Sequence, residues 1–143
     1  MAAIARSAGL LLLCAALLMA DAHDEIVDHF AAMAAALADN NAAGFMAGID
    51  KTMAGYDDLK TQINAMVDVT SVASDIDPRK DTGDNQQRAV DLDWFLVLRS
   101  KLADGPIVRR RELVHCELRK EGRHWKVVAM TPLSFFAAPE LAK

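Results

Sequence analysis

The sequence predicts an α+β domain in which three N-terminal helices pack on a strongly curved antiparallel sheet of about four strands. Three observations predict it. Large apolar residues recur at spacings of four, three and four between Asp24 and Asp39, and they alternate with a period of two from Val90 to Leu98. A Glu121-Gly122 pair then separates two β-prone runs. The first spacing keeps one face of a helix apolar, the second one face of a strand, and the third is a hairpin turn.

The first helix carries Ile26, Phe30, Met33 and Leu37 on its apolar face, alanines at most other positions, and Asp24 and Glu25 at its positive end. Asn40-Asn41 stops it and caps a second short helix with Phe45, Met46 and Ile49, reaching to Met53. After Gly55, the segment Tyr56-Asp57-Asp58 caps a third helix whose Leu59, Ile63, Met66 and Val67 again recur at helical spacing. The period then changes. Val67 to Ile76 alternates weakly and is rich in Val, Thr and Ser, which makes it a first strand. Asp77-Pro78 and Asp81-Thr82-Gly83-Asp84-Asn85 then read as a polar turn region.

Arg88 to Lys101 is a long second strand with Val90, Leu92, Trp94, Leu96 and Leu98 on one face and Asp91, Asp93, Phe95, Val97 and Arg99 on the other. Ala103-Asp104-Gly105-Pro106 turns the chain into a third strand from Ile107 to Lys120, and a fourth runs from His124 to Thr131. Phe135-Phe136 pins the tail. A two-residue turn at Glu121-Gly122 would set Leu118 opposite Trp125, Cys116 opposite Val127 and Val114 opposite Ala129 on a core face. The other face would hold Arg119 opposite His124, Glu117 opposite Lys126, His115 opposite Val128 and Leu113 opposite Met130. Joined to Phe95 and Val97, it makes a half-apolar patch rimmed by Asp93, Arg99, Glu117 and Lys126, the composition of a partner surface.

Ahead of these elements, Arg6 is followed by an apolar run from Ala8 to Ala20 and by Ala20-Asp21-Ala22, with small residues at the −3 and −1 positions. This is the pattern of a signal peptide over residues 1–22, leaving a single domain over 23–143 that is secreted or periplasmic. The run of about 13 residues spans roughly 20 Å as a helix, short of the ~30 Å needed to cross a bilayer, so no stable membrane anchor is expected after cleavage. Cys14 leaves with the leader, so Cys116 has no intramolecular partner and the core must carry the stability.

Sixteen Lys/Arg against twenty Asp/Glu leave a net charge of −4, which excludes a strongly basic nucleic-acid binder. His23, His29, His115 and His124 are scattered without metal-ligand spacing. Asp75, Asp77, Asp81 and Asp84 resemble a calcium loop only loosely, being interrupted by Pro78, Arg79 and Lys80, so no metal is expected. Arg109-Arg110-Arg111 alternates faces and reads as a charged strand start near Asp104 and Glu112. A Ser-His-Asp order, a nucleotide-binding glycine loop and a zinc cysteine pair are all absent, so no cofactor is expected.

Three motifs together carry a family likeness: Tyr56-Asp57-Asp58-Leu59, Val90-Asp91-Leu92-Asp93-Trp94, and Arg109-Arg110-Arg111-Glu112 continuing through Arg119-Lys120-Glu121-Gly122-Arg123-His124-Trp125-Lys126-Val127-Val128-Ala129. They resemble the nuclear transport factor 2-like superfamily, and in particular its secreted bacterial members of no assigned activity. The resemblance implies a cone-like fold with an internal pocket, commonly dimeric through the outer sheet face. Trp94, Cys116 and Glu112 would then line the pocket, with Tyr56 near its mouth. The superfamily also includes ketosteroid isomerase and scytalone dehydratase, whose chemistry needs a carboxylate base and an oxyanion donor in a dry cavity. Glu112 and Tyr56 are the residues available for those roles, but the inward faces are almost wholly apolar. The expectation is therefore an exported, non-catalytic domain that binds a small apolar ligand or a protein partner and forms a homodimer. The alternative is an isomerase- or dehydratase-like enzyme.

Overall fold

The computed structural model describes residues 21–140. The leader, apart from its last two positions, and Cys14 lie outside the described residues. Residues 21–38 form helix α1, Ala42–Met46 form α2 and Tyr56–Val69 form α3. The strands are β1 (Thr70–Gly83), β2 (Gln87–Ser100), β3 (Ile107–Glu121) and β4 (His124–Thr131), and a 3-10 turn at Leu133–Phe136 closes the chain. They make one antiparallel sheet in sequence order β1-β2-β3-β4.

Caps set the helix ends. The Asn41 side chain accepts from the Gly44 N–H at 2.9 Å at the start of α2. The end of α3 is held three times. Thr70 Oγ1 donates to the Met66 carbonyl at 2.6 Å, Lys101 Nζ to the Val67 carbonyl at 2.7 Å, and the Lys101 N–H to the Val69 carbonyl at 3.0 Å. The Met66 carbonyl also accepts the Thr70 N–H, and a cation beside the last-turn carbonyls suits the negative end of the helix dipole. The helix therefore runs to Val69, two residues past the Val67 expected to open the first strand.

β1 continues through the segment expected to be a turn and ends at Gly83. Pro78 fits because β1 is an edge strand, and a register shift between Pro78 and Lys80 leaves Arg79 as a bulge. The β1–β2 hairpin closes on Asp84, whose carboxylate accepts from the N–H groups of Gln86 and Gln87, both at 2.8 Å. Asp75, Asp77 and Asp81 belong to β1 and Asp84 to the turn.

The last hairpin corrects the expected register. Its turn is Gly122-Arg123, with Glu121 opposite His124, Lys120 opposite Trp125 and Leu118 opposite Val127. Gly122 has φ +62°, which glycine adopts without the steric cost of a side chain. The slip is by two residues, so Trp125 and Val127 stay inside. A bulge at Val128 then shifts the register again, giving Cys116 opposite Met130 and turning Met130 into the core. Beyond the free side of β4, the chain after α2 lies alongside. The Asp50 N–H donates to the Val127 carbonyl at 2.9 Å and the Val127 N–H to the Gly48 carbonyl at 3.0 Å, around a parallel Ile49–Val127 bridge.

Candidate functional site

Three places in the fold could carry function: the space between sheet and helices, the grooves at the end of α2, and the outer sheet face. The first is filled. Trp94 is fully buried and packs edge-on to Phe30 (ring centroids 6.4 Å apart) and Phe136 (4.9 Å), with Phe45 (6.2 Å) and Phe135 (6.3 Å) tilted against it. Its indole N–H is spent on Ser74 Oγ at 2.8 Å. Phe135 and Phe136 come from the closing turn, so the tail fills the interior that the resemblance would leave open. Arg110 fixes that tail by donating through Nη1 to the carbonyls of Phe135 and Ala137.

The four residues predicted to bind a ligand therefore part company. Trp94 and Cys116 are inside and fully buried, and burial pushes the Cys116 thiol well above its ordinary range, so it is an inert apolar group. Glu112 pairs with Trp94 across the ladder, yet it is exposed. Tyr56 is half-buried at the first turn of α3 and lines a groove to which Glu112 does not contribute. Base and oxyanion donor are not brought to one site.

Two grooves flank the end of α2 and share Ala47 and Lys126. One, of about 480 Å³, lies between α1 and the last hairpin and contains Glu25, Asp28, His29, Arg123 and His124. Glu25 accepts from the Trp125 indole N–H at 2.6 Å and from Lys120 Nζ at 3.2 Å, and the indole bond first, then the lysine, holds its carboxyl below the usual range. His29 Nε2 is 2.9 Å from the Gly48 carbonyl and must donate to it, while burial lowers the imidazole's pKa. The second groove, of about 510 Å³, is lined by Met46, Ile49, Asp50, Lys51, Tyr56, Lys60, Glu121 and Lys126 among others. Sequence reasoning found only Tyr56 of this set. Asp50 and Lys51 are neighbours in the loop after α2, whereas Lys60 comes from α3 and Lys126 from β4, with no common spacing.

On the outer face, Leu113 is 56% exposed and Phe95 37%, although both are large and apolar and sit mid-strand. Across the ladder Arg111 donates to Asp93 through Nε (3.0 Å) and Nη2 (2.6 Å), and Arg79 Nη2 adds a third bond at 3.2 Å. Chiefly because of Arg111, Asp93 is held at about 2. His115 Nδ1 lies 2.6 Å from Asp91. Within the arginine run, Arg111 therefore pairs across the sheet with Asp93 and Arg110 with the tail.

No family sequence model matches the chain, and no curated protein sequence does. Solved structures do match in shape. A scytalone dehydratase-like protein of Novosphingobium aromaticivorans superposes with TM-score 0.69 at 12% identity, covering 78% of this chain and 85% of that one. A nuclear transport factor 2-like protein with a cystatin-like fold from the same species gives 0.64 at 13% identity, covering 82% and 84%. A nuclear transport factor 2-like protein of unknown function from Shewanella oneidensis gives 0.60 at 13% identity, covering 76% and 95%. The chain thus has the nuclear transport factor 2-like cone fold, as its motifs suggested. At such identities the likeness is one of fold.

Proposed function

We propose that this chain is an exported, non-catalytic module that works as a pair of copies joined through the outer faces of their sheets. The observation that carries it is the charge layout of that face. Arg99 and Arg109 stand at one end of β2 and β3, and Asp91 and Glu117 at the other, beside Arg119, which is taken up by Asp50 and Glu121. Phe95, Val97, Leu113, His115 and the mutually paired Arg111 and Asp93 lie between them. On β3, Arg109 and Glu117 are each four residues from Leu113, about 14 Å at ~3.4 Å per residue.

Two such faces can stack about a two-fold axis lying along the strands or across them. Along the strands, like ends meet and repel. Across the strands, with the axis at Leu113, that residue packs on its own copy and Arg109 meets the partner's Glu117. The charge pattern supports the second arrangement. The filled interior also favours an external partner over a ligand held inside the cone. Export rests on the leader over residues 1–22, with cleavage after Ala22.

Sedimentation of the mature chain recovered from the envelope of an expressing bacterium tests the reading. We expect twice the monomer mass in the wild type and a monomer of unchanged circular dichroism for Leu113→Arg. Arg109→Glu should weaken pairing, and Arg109→Glu with Glu117→Arg should restore it. A monomeric wild type at tens of micromolar, or a Leu113→Arg variant that still pairs, overturns the proposal.

A further inference from the structure

We infer that the groove beside Tyr56 binds a small monocarboxylate with an apolar tail. Its floor is apolar, lined by Ala43, Met46, Ala47, Ile49 and the Tyr56 ring, so an aliphatic chain laid there would meet carbon and shed its own water. Lys51, Lys60 and Lys126 stand around that floor.

Asp50 and Glu121 also line the groove, but both are already engaged. Arg119 Nη2 reaches Asp50 at 3.4 Å and Glu121 at 3.2 Å, and Asp50 accepts in addition from the Thr52 N–H (2.8 Å) and hydroxyl (2.6 Å). With Arg119 included, four cations face two carboxylates, on a chain whose net charge is −4. Lys51 and Lys60 form no ion pair among the described residues, whereas Lys126 spends one N–H on the Ala47 carbonyl. The Tyr56 hydroxyl makes no hydrogen bond among the described residues. An anion seated over the floor would therefore meet free ammonium donors and a phenol O–H. The modest cation surplus suits a monoanion, and the floor selects one with a hydrocarbon tail. The groove meets the outer sheet face only at Glu121, Arg119 and Lys126, and neither Leu113 nor Arg109 lines it, so octanoate binding by the Leu113→Arg chain separates this inference from pairing.

The experiment is an NMR titration of the mature chain with octanoate, octanol and acetate, read at the methyl groups of Met46 and Ile49. Octanoate should give saturable shifts, with octanol (tail alone) and acetate (charge alone) at least about tenfold weaker. Lys51→Glu with Lys60→Glu, two exposed positions whose change should leave the unfolding midpoint intact, should weaken octanoate about tenfold or more, and Tyr56→Phe roughly threefold. No saturable shift by about 10 mM octanoate, octanol binding as well as octanoate, or an unchanged affinity in the folded double-lysine variant would each overturn the assignment.

Discussion

Replacing Trp94 by alanine tests whether the cone is filled as described. An aromatic ring of this class buries about 150–250 Å², which at ~25 cal/mol per Å² is worth roughly 4–6 kcal/mol. Allowing about 10–40% for burial already present in the unfolded chain leaves about 3–5 kcal/mol, the range seen for such truncations. Four phenylalanines hold the ring on its different sides, so the void has little chance to collapse. Against a total of about 5–15 kcal/mol, the loss is large enough to unfold a marginal domain, so Trp94→Phe is run beside it. That variant keeps most of the packing and loses chiefly the bond to Ser74, for about 1–2 kcal/mol. Urea unfolding followed by circular dichroism gives both numbers, provided the slope with denaturant is unchanged. Indole added to Trp94→Ala should raise its midpoint by occupying the void, and should leave the wild type unmoved. A cost below about 1.5 kcal/mol for Trp94→Ala would refute the reasoning, because the ring would then already border open space.

Two further outcomes follow from the charge and thiol chemistry. Asp93 is held at about 2 in the folded chain against an ordinary 3.8, so below about pH 4 the unfolded chain takes up protons first. Its contribution is present in full above that pH and is lost as the pH falls toward 2. Urea midpoints between pH 5 and 2 should fall less steeply in Arg111→Gln than in the wild type, and parallel curves would contradict the pairing. Cys116, being buried with its thiol pKa raised, should react with a thiol reagent only at the rate of global unfolding. Rapid reaction under native conditions would show that the core opens beside β3.

The helices and the second strand were legible because their burial follows a single period: Ile26, Phe30, Met33 and Leu37 on α1, and every second residue from Val90 to Leu98 on β2, are buried as their spacing requires. The fold followed from that order of elements. What periodicity misses is any place where one residue breaks it. The extra residues at Arg79 and Val128 bend two strands, and the second turns Met130 inward although the sequence alternates past it. Pro78 read as a turn because a proline ends a central strand, and only the sheet order places it on an edge. For the site, Trp94 and Cys116 were assigned correctly to the inside, but whether an inside is hollow depends on what the tail does. Phe135 and Phe136 lie some forty residues from the ring they pack on. Glu112 sits opposite the buried Trp94 and on its alternation phase, yet it is exposed, which alternation does not encode.

The two flanks of the sheet also govern how the molecule can assemble. A bare strand margin templates the addition of another chain, and repetition of that step builds fibres. Here residues 48–50 occupy the margin of β4, while Pro78, the bulged Arg79 and a run of charged side chains spoil that of β1. Growth sideways is thus stopped at both ends, whereas a face meeting its own copy closes after one step. A sheet closed in this way can remain finite in size while still offering an apolar surface.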